Sequence, residues 1–231
     1  MNHALRAARL HLIGWPIALF WPWAIMVSSW AVNWVIFGAL HSRGVEADFT
    51  GGLLSLYVVQ FIVFAQLFTR GFQFAINLSV SRRAYYLGTW LVVLVLSFGN
   101  AVALTVLEAV ENATGGWGVD LPFFGISFMD TDNVVTQVLV YAGPFVVSGG
   151  IAAVYGLVGK RWGSNGIWTA VLLSIIVPGL VIALISRQDS WESIGNWVTE
   201  QSSTAIFALW PSLIAVVCAI GGFLVSRRAS F

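Results

Sequence analysis

Three histidines, one cysteine and ten carboxylates are the side chains here best suited to chemistry, and their placement excludes most of it. His3, His11 and His41 all precede the second long apolar run. A haem held by paired histidines inside a helix bundle, or a serine nucleophile served by a histidine base, would need one deeper in the chain. Cys218 stands alone in an apolar run, which leaves no intrachain disulfide or cysteine metal site and suits a small packing residue. Gly159-Lys160 continues with Arg161 where a phosphate-binding loop would place serine or threonine, so the chain offers no recognisable ATP site of its own. Gly125-Ile126-Ser127-Phe128 is a weak echo of a nucleophile turn with no base to serve it. Ion-coupled carriers place ionisable groups deep in their spans. Here Glu108, at the outer end of an apolar run, reads as a boundary residue rather than a proton carrier. The amides Gln60, Gln66 and Asn100 either line a polar pathway or bond between helices, typically for about 0.6–2 kcal/mol each. No catalytic residue, metal ligand or cofactor contact is expected, and the chain reads as a non-enzyme.

The elements that carry these residues are membrane spans. The 231 residues are 58% hydrophobic and only 9% charged, with mean hydropathy +0.86, where soluble domains are about a quarter charged. Continuous apolar runs exclude a water-soluble core and a β-barrel, and predict an all-α membrane protein. We expect one transmembrane domain over residues 1–231, with spans at about 17–40, 53–69, 84–107, 134–158, 167–186 and 204–225. Leu5, Ala8 and Leu12 share a face, so residues 2–13 predict an interfacial helix ahead of an uncleaved first span. Pro22 is expected to bend or delay that span, and Trp15, Trp21 and Trp23 suit an aromatic belt. The aromatic outer loop over 109–133 predicts a segment resting on the interface. Asp189 and Glu192 have capping-box spacing for an outer helix over 187–203. Ser148, Ala152 and Gly156 fall four apart, a small-residue stripe that permits close helix packing.

Charge sorts on this map. Arg6, Arg9, Arg70, Arg82, Arg83, Lys160, Arg161, Arg227 and Arg228 fall on one side, and only Arg43 and Arg187 on the other. All ten acidic residues, from Glu46 to Glu200, share that second side. The positive-inside rule then makes the basic side and both termini cytoplasmic.

The stretch Arg70 to Thr89 joins two spans on that basic side and carries three arginines and no carboxylate. Phe72, Ile76 and Leu78 need something to bury against, and Ser79 and Ser81 can cap helix starts. It is either a docking element for a cytoplasmic partner or a basic loop that only sets topology.

Four strings resemble the type-2 permease family of bacterial ABC exporters. They are Ala8-Arg9-Leu10-His11-Leu12, Leu78-Ser79-Val80-Ser81-Arg82-Arg83-Ala84-Tyr85-Tyr86-Leu87-Gly88-Thr89, Ala113-Thr114-Gly115-Gly116-Trp117-Gly118-Val119 and Lys160-Arg161-Trp162-Gly163. The second is the most specific, opening span three with Ser-Arg-Arg, aromatic residues and Leu-Gly-Thr. The resemblance implies a bacterial plasma-membrane permease subunit with an interfacial helix, six spans and a coupling helix between spans two and three. It implies a separate cytoplasmic ABC ATPase subunit that binds the ATP and Mg this chain does not, contacted through Phe72, Ile76, Asn77, Leu78, Ser79, Arg82 and Arg83. It further implies a second permease chain, the same or homologous, with a substrate path where spans two and five face each other. Gln60, Phe64, Gln66 and Ser174 are the residues of this chain placed there. Besides these partners only membrane lipids are expected, and no nucleic acid. The other reading is a membrane immunity, sensor or scaffold protein that binds a cytoplasmic partner without transport.

Overall fold

The computed structural model describes residues 15–44, 50–77 and 81–228, with side chains for 18–44, 50–69, 81 and 83–223. Every regular element among them is helical: α1 (Trp15–His41), α2 (Leu54–Asn77), α3 (Arg82–Ala113), α4 (Val134–Arg187), α5 (Trp191–Glu200) and α6 (Trp210–Arg228). Wide turns at Gly116–Asp120 and Ala205–Leu209 precede α4 and α6. Among the described residues four helical segments are long and apolar enough to cross a membrane: Ala18–His41, Arg83–Ala113, Val134–Arg187 and Ala205–Phe223. Leu54–Thr69 is apolar and shorter. The interfacial helix expected over residues 2–13, and Leu78 and Ser79 of the coupling stretch, lie outside the described residues. For Phe72, Ile76, Asn77 and Arg82 the backbone alone is described, at the end of α2 and the start of α3.

Two local expectations change. Pro22 does not delay the first helix, which begins about two turns earlier at Trp15 and carries the proline inside. Asp189 does not cap the outer helix. α4 runs on to Arg187, Asp189 takes a left-handed turn conformation with φ 47°, and Ser190 precedes α5 without a side-chain capping bond.

The centre of the molecule is α4, which is 54 residues long and folds back on itself at Gly163. That glycine has φ 63° and ψ −154°, a region that a residue with a Cβ essentially does not enter. The Tyr155 hydroxyl donates to the Ala170 carbonyl at 3.5 Å, and a Cβ on Gly159 would meet the Ile167 side chain. Residues 134–162 and 164–187 are therefore two arms of a helical hairpin. The basic connection read from the sequence is helical except at one residue.

The first arm packs against α2, α3 and α6 and buries Val140, Tyr141, Phe145, Ala152 and Ala153. Close approach there depends on small residues. A Cβ on Gly143 would run into the backbone carbonyl of Phe207, and one on Gly156 would lie 2.7 Å from Phe68 Cβ. Residues 172–184 of the second arm are exposed on every face, although almost all of them are apolar.

The bundle has two chemically distinct ends. At one, His41 Nδ1 lies 3.0 Å from Asp120 Oδ2, Phe128 meets Phe207, and Trp197 meets Trp210. All eight described acidic residues are in the segments gathered there, together with Arg43 and Arg187. At the other end the Arg83 guanidinium sits 5.4 Å from the centre of the Phe223 ring, and Lys160 and Arg161 lie beside the hairpin turn.

Candidate functional site

Three helices meet around a chain of neutral polar groups in the bundle interior. Trp23 Nε1 on α1 donates to Asn100 Oδ1 on α3 at 3.0 Å, and Asn100 Nδ2 donates to Gln60 Oε1 on α2 at 3.2 Å. Gln60 is fully buried and Asn100 nearly so. Buried amides without water must find partners in the protein, and this chain supplies most of them. Among the described residues Gln60 Nε2 and Ser97 Oγ, both fully buried, have none. Ser97 lies one turn from Asn100 on α3, so two of the four such atoms among the described residues are at this crossing, the others being the Trp30 and Trp90 indole nitrogens.

At the acidic end a single carboxylate organises the loop that closes the bundle. Glu111, near the end of α3, accepts the backbone N–H groups of Phe123, Phe124 and Gly125 at 2.8–3.1 Å and the Trp117 indole at 2.9 Å. Charge-assisted bonds from several donors are strong where water is excluded. They draw Leu121, Phe123, Phe124 and Met129 into the core, each under 5% exposed. Beside Glu111, Gln137 Nε2 donates to Glu108 Oε1 at 3.3 Å and Thr131 Oγ1 to Gln137 Oε1 at 2.7 Å. The aromatic loop plugs the end of the bundle, because Glu111 satisfies backbone groups that could not otherwise be buried.

At the basic end the α2–α3 connection stands on a braced base. Ser81 accepts from Ala84 N at 3.3 Å and caps α3. Tyr85 donates its hydroxyl to the Leu67 carbonyl of α2 at 2.6 Å, and Tyr86 to the Ala219 carbonyl of α6 at 2.9 Å. Phe68 packs between Tyr86 and Trp90. Two adjacent tyrosines thus tie three helices at the root of one connection.

No protein-family model, curated protein or solved structure matches the chain.

Of the residues placed on a substrate path, Gln60 and Phe64 point into the bundle and are fully buried, Phe64 beside Gly149. Gln66 and Ser174 are exposed, with Ser174 Oγ bonded to Val171 O within its own helix. Within one chain these four do not line a common surface. On the small-residue stripe, Ser148 bonds the Phe145 carbonyl, Ala152 is fully buried and Gly156 faces Phe68. Among the coupling residues Arg83 has its side chain described, stacked on Phe223. No group of three His, Cys, Asp or Glu residues suited to a metal ion occurs among the described residues.

Sequence reasoning missed Glu111 as an organiser and Tyr85 and Tyr86 as braces. The available signal for Glu111 was its position, one turn ahead of a glycine-rich loop with buried aromatic residues on its far side. The sequence suits Trp23 to an aromatic belt, whereas its indole bonds Asn100 in the bundle interior. Its bond to Asn100 spans 77 positions and leaves no local trace.

Proposed function

We propose that this chain is the transmembrane permease subunit of a bacterial ATP-driven ABC exporter of the type-2 family. In this reading it crosses the plasma membrane six times with both termini in the cytoplasm, and pairs with a second permease chain and a cytoplasmic ATPase. The spans are α1, α2, α3, the two arms of α4, and α6. The apolar part of α2, Leu54–Thr69, measures about 24 Å at 1.5 Å per residue, a few Å short of a hydrocarbon core of ~30 Å, a mismatch that local thinning of the bilayer accommodates. The four family-like strings support the assignment.

The observation that carries it is the braced α2–α3 connection. A partner pushing on residues 72–80 would move α2, α3 and α6 together, because Tyr85 and Tyr86 bind α3 to carbonyls on the other two. A loop that only set topology would need no such base. Phe72, Ile76 and Leu78 would supply apolar contact to the ATPase, and Arg82 and Arg83 the rim, where charge influences encounter more than affinity.

The test is co-purification of the ATPase with variants at equal membrane abundance. Leu78→Asp should lose the ATPase, since it would bury an unpaired carboxylate at the contact. Arg82→Ala should weaken the complex mildly, an effect partly reproduced by added salt. Retention of the ATPase and of its transport-coupled hydrolysis by Leu78→Asp would assign the stretch to topology alone.

A further inference from the structure

The plug closes over two carboxylates. Glu108 and Glu111 stand one turn apart on α3, at 5% and 3% exposed, and at that spacing they share one face of the helix. Like charges so close, and largely out of water, repel strongly. Asp130, exposed on the loop, also faces Glu108, and Gln137 and Tyr141 face it from α4. Tyr57 of α2 lies beside Tyr141. α1 brings no titratable group before His41, which pairs with Asp120, and the turn before α6 brings none. No basic side chain stands among the groups facing Glu108.

Hydrogen-bond direction shows how the pair is accommodated. Glu111 is an acceptor throughout, serving three backbone N–H groups and the Trp117 indole. Glu108 differs. Gln137 Nε2 donates to its Oε1 at 3.3 Å, and the Tyr141 hydroxyl touches the same carboxyl. That hydroxyl has one hydrogen, and gives it to the Phe124 carbonyl at 2.7 Å. Toward Glu108 it can only accept, so the hydrogen between them belongs to the carboxyl. Glu108, Tyr141 and the Phe124 carbonyl then form one directed chain from α3 through α4 to the plug. An ionised Glu108 would either meet the lone pairs of the hydroxyl or take its hydrogen and strip the buried Phe124 carbonyl of that donor.

We propose that Glu108 carries a proton in the closed protein, and that this proton latches the plug, which loosens when the proton is lost to the medium at the acidic end. On its loss the Tyr141 hydrogen turns from Phe124 to the new carboxylate, and two adjacent negative charges press on the loop. Glu108 holds this proton locally and does not pass it across the bundle. The inference needs neither transport nor a partner, so it stands or falls apart from the permease reading.

The test follows amide hydrogen exchange over residues 121–129 in the full chain in detergent, between about pH 5 and pH 8. Glu108→Gln is measured beside the wild type at each pH, so that the intrinsic rise of exchange with pH cancels. Glutamine keeps an acceptor for Gln137 and a donor for Tyr141 but has no proton to lose. An open, solvated glutamate is ionised above about pH 4.3. Each pH unit should therefore raise the wild-type rate relative to Glu108→Gln by up to about tenfold, until the closed form itself titrates. Infrared difference spectra of the wild type near pH 5 should show the C=O stretch of a protonated carboxyl that Glu108→Gln lacks. A rate ratio that stays constant across the range would overturn the latch. A carboxyl band that survives Glu108→Gln unchanged would overturn Glu108 as the seat of the proton.

Discussion

A single carboxylate serving several donors makes an asymmetric target for mutation. Removing Glu111 strands three backbone N–H groups and an indole in the core, and each unsatisfied buried donor costs ~1–3 kcal/mol. The loop will relax and recover part of this. Glu111→Ala should therefore destabilise the protein by about 3 kcal/mol or more in thermal melts in detergent. Glu108→Ala, which frees one Gln137 N–H and removes a contact to the Tyr141 hydroxyl while leaving that hydroxyl its bond to the Phe124 carbonyl, should cost less, and a reversed order would mean that Glu111 does not hold the loop. The interior amides give a second ranking. Asn100 serves two partners and Gln60 one. Asn100→Leu should cost on the order of 1–2 kcal/mol and Gln60→Leu ~0.6 kcal/mol. Equal losses would show that the Trp23 bond contributes nothing.

At the scale of helices, the first arm of α4 is packed too closely for added atoms. Gly143 faces the Phe207 carbonyl in the turn before α6, and that oxygen belongs to backbone that cannot rotate away. Gly143→Ala should separate α4 from α6 and lower detergent stability by about 1–3 kcal/mol, the usual cost of overpacking. Ala152→Leu should act in the same direction through α2 and α3. Stability unchanged in both variants would mean that the arm faces lipid. Much of this element was legible. The apolar runs gave the helices, and the four-residue spacing of Ser148, Ala152 and Gly156 marked a close-packed face. The continuity of α4 was not legible, because Gly159, Gly163 and Gly166 all read as loop residues while only Gly163 leaves the helix. Nor was the buried loop, since Pro122-Phe123-Phe124 looks the same in sequence whether it rests on an interface or plugs a bundle. What decides is a carboxylate on another element.

For the whole molecule, the segregation of charge to two ends is the feature most directly exposed to experiment. Single cysteines at Ser42, Ser127 and Ser193, all exposed at the acidic end, should react with an impermeant reagent in intact cells once Cys218 is replaced by alanine. A cysteine at Ser164, exposed beside the hairpin turn, should not. Labelling at 164 would break the six-span arrangement. Thr50 is a poor reporter despite its place in the α1–α2 connection, because it is only 6% exposed and its hydroxyl is bonded to Asn33 at 2.8 Å.

The polar contacts also differ in how long each must wait during synthesis. Glu111 finds all its partners within 14 positions, so the plug can close as soon as residue 125 has emerged, before α4 is made. The Asn100 contacts reach back 40 and 77 positions, to helices already in place when α3 arrives. The Tyr86 hydroxyl needs a carbonyl 133 positions ahead. A chain born N-terminus first therefore completes its acidic end early. The brace beneath the α2–α3 connection is fastened only when the final helix has come to rest against it.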